Sequence, residues 1–96
     1  MNLETRFTCE SGIVARRIAG ETILVPITRH AREMALFTLN EVGTFVWERL
    51  DGRRPLSALV PEIVDAFDVE NGSAAVDLAR FVEQLVTARC AREVPA

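Results

Sequence analysis

The chain has 96 residues, enough for one domain with a modest core but not for an enclosed active site beside a cofactor-binding domain. Its 49% hydrophobic and 26% charged residues place it with folded globular proteins and exclude a disordered chain. The net charge of −3 argues against a general nucleic-acid binder, which needs a concentrated positive face.

Three β-like segments come first. GIVARRI (12–18) and ETILVPI (21–27) are rich in β-branched residues, and Ala19-Gly20 between them predicts a tight hairpin turn. Pro26 cannot donate a ladder bond, so the second strand ends there or lies open on that side. The polar stretch TRHARE (28–33) reads as a loop. MALFTL (34–39) reads as a third strand, with Phe37 and Leu39 on one face and Met34, Leu36 and Thr38 on the other.

The stretch TLNEVGTFVWERLDG (38–52) then reads as a short helix with its signals attached. Asn40 is its N-cap, Glu41 suits the positive end of the helix dipole, and Gly52 is the expected stop. At 100° per residue, Val42, Phe45, Arg49, Val46, Leu50, Gly43 and Trp47 share an arc of about 200°, wider than the roughly 100° of an ordinary surface helix. Thr44, Glu48 and Glu41 are left for solvent. Such a helix is expected to be wedged between two layers. Gly43, which weakens a helix by about 1 kcal/mol against alanine, points to a close approach beside Trp47. Arg49 can run its stem along the arc and bring its head to the helix C-terminus.

RRPLSALVPEIVDAF carries Leu56, Leu59, Val60, Ile63 and Phe67 at helical spacing. Pro61 does not fit a helix interior, so this second helix kinks or starts later than Pro55. DVENGS (68–73) reads as a turn, and Ser73 caps a third helix with a stripe of Leu78, Val82 and Leu85. Val94-Pro95-Ala96 reads as a frayed tail. The order βββααα gives an α+β fold: a three-stranded antiparallel sheet followed by three helices, winged helix-turn-helix-like.

The chemistry of a catalytic or metal site is missing from the pattern. There is no glycine-rich phosphate loop, no C-x-x-C and no H-E-x-x-H. The sole histidine, His30, has no partner in its context, and Cys9 and Cys90 read as reduced, partly buried thiols. The chain therefore reads as a non-enzyme without a cofactor or metal. Arg49, Arg53 and Arg54 form the strongest basic cluster. As phosphate contacts they would make a winged-helix DNA-binding regulator, the alternative reading; a solvated helix end and turn is favoured, because the next helix lacks a row of base-reading side chains. No apolar run approaches the ~20 residues of a membrane span, and MNLETRFTCE lacks the basic and apolar regions of a signal peptide, so a cytoplasmic protein without a membrane partner is expected.

Leu39-Asn40, Val46-Trp47, Leu50-Asp51-Gly52, Ile63 with Phe67, and Asp77-Leu78 with Phe81-Val82 and Leu85 form an ordered set that resembles the PqqD family. The similarity covers roughly residues 12 to 90, which implies a single PqqD-like peptide-binding domain over 1–96 with its core at about 12–90. Members are small peptide chaperones named for pyrroloquinoline quinone (PQQ) biosynthesis, and related domains are the recognition elements of ribosomally made, modified peptides. The resemblance implies a non-catalytic protein that binds the leader of a precursor peptide and presents it to a maturation enzyme, often a radical SAM enzyme. The leader would add as a strand along Met34 to Leu39 and lay its apolar side chains beside the third helix. The expected peptide-binding residues are Met34, Leu36, Phe37, Thr38, Asp77, Phe81, Gln84 and Ala88. An open strand edge can also pair with its own copy, which allows a homodimer.

Overall fold

The computed structural model describes residues 2–27 and 37–95. Its elements are β1 (Arg6–Cys9), β2 (Ile13–Ile18), β3 (Glu21–Pro26), β4 (Phe37–Leu39), α1 (Glu41–Trp47), β5 (Asp51–Pro55), α2 (Val60–Phe67), α3 (Asn71–Thr87) and β6 (Ala91–Val94), with a 3-10 turn at Leu56–Ala58 leading into α2. The fold is α+β, and the described residues form three helices and two three-stranded antiparallel sheets ordered β2-β3-β4 and β5-β1-β6.

The first of those sheets is the one the alternating pattern predicts. Its hairpin turns at Ala19 and Gly20, whose φ angles of 52° and 84° are both positive, as a two-residue turn matching strand twist requires. Alanine in that region carries a steric cost of roughly 1–2 kcal/mol that asparagine largely avoids. Ala19→Asn is therefore expected to stabilise the fold by about 0.5–1 kcal/mol, read as a higher urea midpoint at unchanged slope.

The second sheet corrects the expectation of a single one. Its strands are four or five residues long, and DGRRP and AREV carry too little alternation to announce a strand. Their pairing is fixed by tertiary packing: Phe7 is 5% exposed and Ala91 3%, so both lie in the hydrophobic core. The frayed tail is corrected with it, since Val94 pairs with Arg6 in β6.

Gly52 is corrected too. Helix α1 ends at Trp47 with Glu48 as its cap, and Gly52 lies inside β5 at φ +75°, where the register between β1 and β5 shifts. Asp51 organises this bulge by accepting from the amides of Arg53 (2.8 Å) and Arg54 (3.3 Å). The Arg53 amide is the main cause holding the Asp51 carboxyl below its ordinary value. A lowered native value means that this support is complete above the unfolded carboxyl range and fades as pH falls through the native value.

The helices follow their sequence signals with shifted ends. Asn40 caps α1 by accepting from the Gly43 amide at 2.8 Å. Thr44, expected in solvent, is 8% exposed, its hydroxyl donating to the Asn40 carbonyl at 2.9 Å. Arg49 donates to the Phe45 carbonyl at 2.9 Å and stacks 3.4 Å from the Phe45 ring centre, serving a carbonyl that the helix end leaves free. Helix α2 starts at Val60, so Pro61 falls in its first turn, where a missing N–H costs nothing. Helix α3 starts at Asn71 with Glu70 as its N-cap rather than at Ser73. Left-handed Asp68 ends α2 so sharply that the turn needs only three residues. The expected stripe of Leu78, Val82 and Leu85 is buried to 2% exposure or less against α2 and the sheets.

Candidate functional site

Strand β4 lies at one end of the β2-β3-β4 order, so among the described residues one of its edges is unpaired. The ladder's parity says which groups that edge offers. A two-residue hairpin makes Ile18 and Glu21 a hydrogen-bonded pair, and such pairs recur at alternate positions. The Ile27 amide donating to the Gly12 carbonyl at 2.8 Å keeps the same phase. Thr22 and Leu24 then turn their main-chain groups toward β4, bonding Leu39 and Phe37, their partners in register. Thr38 is left with its N–H and C=O directed outward. Pro26 has the same parity as Leu24, so its lack of an N–H falls on the β4 side and leaves the β2 ladder intact.

Beside this edge a groove of about 460 Å³ runs between β4 and α3. Phe37, Leu39, Phe81 and Gln84 line it, with Gly20 and Glu21 at the hairpin end. Phe37 and Phe81 meet edge to face with centres 6.3 Å apart. The far side of the Phe81 ring presses on α1: a Cβ built at Gly43 would stand 3.2 Å from its Cζ. That is the close approach the glycine implies, and Phe81 supplies it. Phe81 is thus half-buried, partly core and partly groove wall. A second cavity of about 250 Å³ adjoins the first through Asn40 and Phe81, and Val42, Val69 and Asp77 help to line it.

Of the expected site residues, Phe37, Thr38, Phe81 and Gln84 line one groove, and Asp77 lines the neighbouring cavity. Ala88 is the C-cap of α3, half-buried against the core, and lines neither. Met34 and Leu36 lie outside the described residues, as does His30. Sequence reasoning missed Gly20 and Glu21 as lining residues, because nothing local shows that the hairpin turn reaches the head of α1. Asn40 was legible only as a helix cap, and Gly43 only as the mark of a close approach to the helix. Among the described residues the acids Glu21, Glu41 and Asp77 give the two cavities a negative rim without a basic lining residue.

Among the described residues, acid–base, thiol and metal chemistry find no support in the arrangement. Cys9 sits with its sulfur 3.5 Å from the Trp47 carbonyl, and burial, helped by the neighbouring Cys90, pushes its pKa up to about 11. Burial also raises Cys90. Both are free thiols held protonated at neutral pH, the opposite of an activated nucleophile. Among the described residues no group of three or more His, Cys, Asp or Glu is placed to hold a metal ion. No helix among them is long and apolar enough to cross a membrane. The basic cluster is largely spent inside the fold: Arg49 is engaged with Phe45, and Arg54 pairs with Glu62 at 2.9 Å.

The family described as coenzyme PQQ synthesis protein D (PqqD) matches residues 21–90, about three quarters of the chain. The chain belongs to the PqqD family. This PqqD-family chain is also similar to two solved structures, TbiB1 in complex with the TbiA(beta) leader peptide and lasso peptide synthetase B1 complexed with the leader peptide. The first likeness has a TM-score of 0.74 at 19% identity, over 93% of this chain and 99% of the other. The second has a TM-score of 0.75 at 19% identity, over 94% and 99%. At that identity the likeness establishes a shared fold. No curated protein matches this PqqD-family chain.

Proposed function

We propose that this PqqD-family protein is a non-catalytic binder of precursor-peptide leaders, a single peptide-binding domain that takes the leader as an added strand and presents it to a separate maturation enzyme. The observation that carries the reading is the outward-facing backbone of Thr38 beside the groove of Phe37 and Phe81. Both similar structures being leader-peptide complexes supports it. A radical SAM enzyme is the partner the family suggests. The β2–β3 hairpin and the α2–α3 pair make a winged helix-turn-helix-like arrangement, here serving a peptide rather than a duplex. Self-pairing of the β4 edge would give a homodimer that competes with the leader.

Energetics place the weight on the apolar contacts. Two main-chain bonds at Thr38 give about 2 kcal/mol net, while ordering a disordered peptide costs roughly 2–5 kcal/mol. Two or three apolar anchors at about 1.5–3 kcal/mol each must supply the surplus for micromolar binding, and Phe37 and Phe81 are placed to receive them. Titration of labelled candidate leaders tests this. Saturable binding at about micromolar strength is expected; tight duplex DNA binding with no leader bound would overturn it. Phe81→Ala should weaken leader binding by about tenfold or more, while Arg54→Ala, which loses only a partly exposed ion pair, should change it less than about twofold. The reverse ranking would count against the groove. Thermal melts must accompany the titrations because Phe81 also supports α1.

A further inference from the structure

The sheet that holds β4 ends on its other side in β2, and that edge is longer. By the same parity, Ile13, Ala15 and Arg17 direct their N–H and C=O groups away from β3, three consecutive outward positions against the one described on β4. Residues 14–18 are exposed, Ile18 at 55%. Below this edge, on the Ala15 and Arg17 side of the sheet, lies a cleft of about 460 Å³ between the hairpin and α1. Trp47 and Leu50 contribute apolar floor, while Arg16 and Arg17 stand at the strand and Glu48 opposite. Among the described residues one sheet therefore has two unpaired edges, each beside a cleft with apolar walls, and the charges differ. Among the described residues the β4 side carries Glu21 and Glu41 with Asp77 next to it and no basic lining residue; the β2 side carries two arginines against one glutamate.

We infer that the β2 edge and the cleft beneath it form a second strand-docking site, which takes an extended segment of alternating apolar and acidic residues from a partner protein. Under the leader-binding reading above, on which this rests for the partner's identity, that protein is the maturation enzyme. Main-chain bonds to Ile13, Ala15 and Arg17 hold the segment, its apolar side chains enter over Trp47 and Leu50 on the Arg17 face, and its carboxylates, on the opposite face, meet Arg16. A second copy of this chain is a poor occupant, because edge-to-edge pairing would gather the Arg16 and Arg17 residues of both copies around one axis. The opposite charge of the two edges lets one small sheet keep its two guests apart.

The experiment uses the full chain, with backbone amide NMR, and two synthetic decapeptides, one alternating valine with glutamate and the other valine with lysine. The glutamate peptide is expected to shift the amides of Ile13, Ala15 and Arg17, and to bind at least about tenfold more weakly when Arg16→Glu and Arg17→Glu are combined. Ala15→Pro removes one outward N–H on an exposed edge and should also abolish those shifts, while Thr38→Pro leaves them unchanged. Leader titrations run in parallel separate the two readings: failure of every leader to bind at β4 leaves the β2 result standing, and the converse holds. The inference is overturned if the glutamate peptide perturbs β4 instead, if the lysine peptide binds β2 equally well, if the double reversal has no effect, or if short duplex DNA displaces the peptide from β2.

Discussion

Thr38→Pro is expected to cut leader affinity by about 2–4 kcal/mol, some thirty-fold to a thousand-fold, while leaving the protein folded. Proline removes the one outward N–H described on the β4 edge, leaves the leader's facing carbonyl without a donor, and puts a ring where the new strand must approach. Losing the bond costs about 1 kcal/mol and stranding its partner about 1–3 more. The fold should tolerate the change, because the bonds that hold β4 to β3 come from Phe37 and Leu39, and proline is accepted at edge positions facing away from the ladder. Phe37, just before it, already has the extended backbone that a following proline demands. Thr38→Val is the control, keeping the backbone donor and a β-branched side chain. Fluorescence titration gives the affinities and urea melts the stability. An unchanged affinity for the proline variant would refute strand addition at this edge, whatever the groove contributes.

Gly52→Ala is expected to destabilise the fold by about 2–5 kcal/mol without touching the groove. The backbone there has φ +75°, a conformation that costs an alanine roughly 1–2 kcal/mol. The added methyl would also stand 3.2 Å from Val94 Cγ2 and 3.3 Å from Thr8 Cβ, against the two strands that follow β5 in the sheet. Overpacking of that kind costs about 1–3 kcal/mol more. For a domain of this size each 1 kcal/mol moves the melting temperature by roughly 4–8 °C, so a drop of about 10 °C or more should be seen. A melt within about 2 °C of the parent would mean that β5 relaxes freely and that the bulge carries no structural weight.

The parts of this fold that could be read from sequence are those with a local cause. β2, β3 and their turn were legible because alternation and Ala19-Gly20 act over a few residues; the cap at Asn40, the α3 stripe and the close approach at Gly43 were legible for the same reason. The β5-β1-β6 sheet was not. Its strands hold together through partners more than forty residues apart, and Gly52 reads as a helix stop until β1 is seen beside it. In the groove, Phe81 and Gln84 followed from helical phase and Phe37 and Thr38 from the strand reading, but the contribution of Gly20 and Glu21 depends on where the hairpin sits over α1. Ala88 shared their helical flank yet falls where α3 ends, one turn too far along to meet the groove.

The single-residue alternation at β4 sets a grammar for whatever docks there. A guest lying flat as a strand shows every second side chain to Phe37 and Phe81 and turns the intervening ones outward, on the Thr38 side of the sheet. Half of its letters are then silent. Precursors that share only a spaced pair of greasy residues would be received alike, so one such domain can serve a repertoire of otherwise dissimilar peptides.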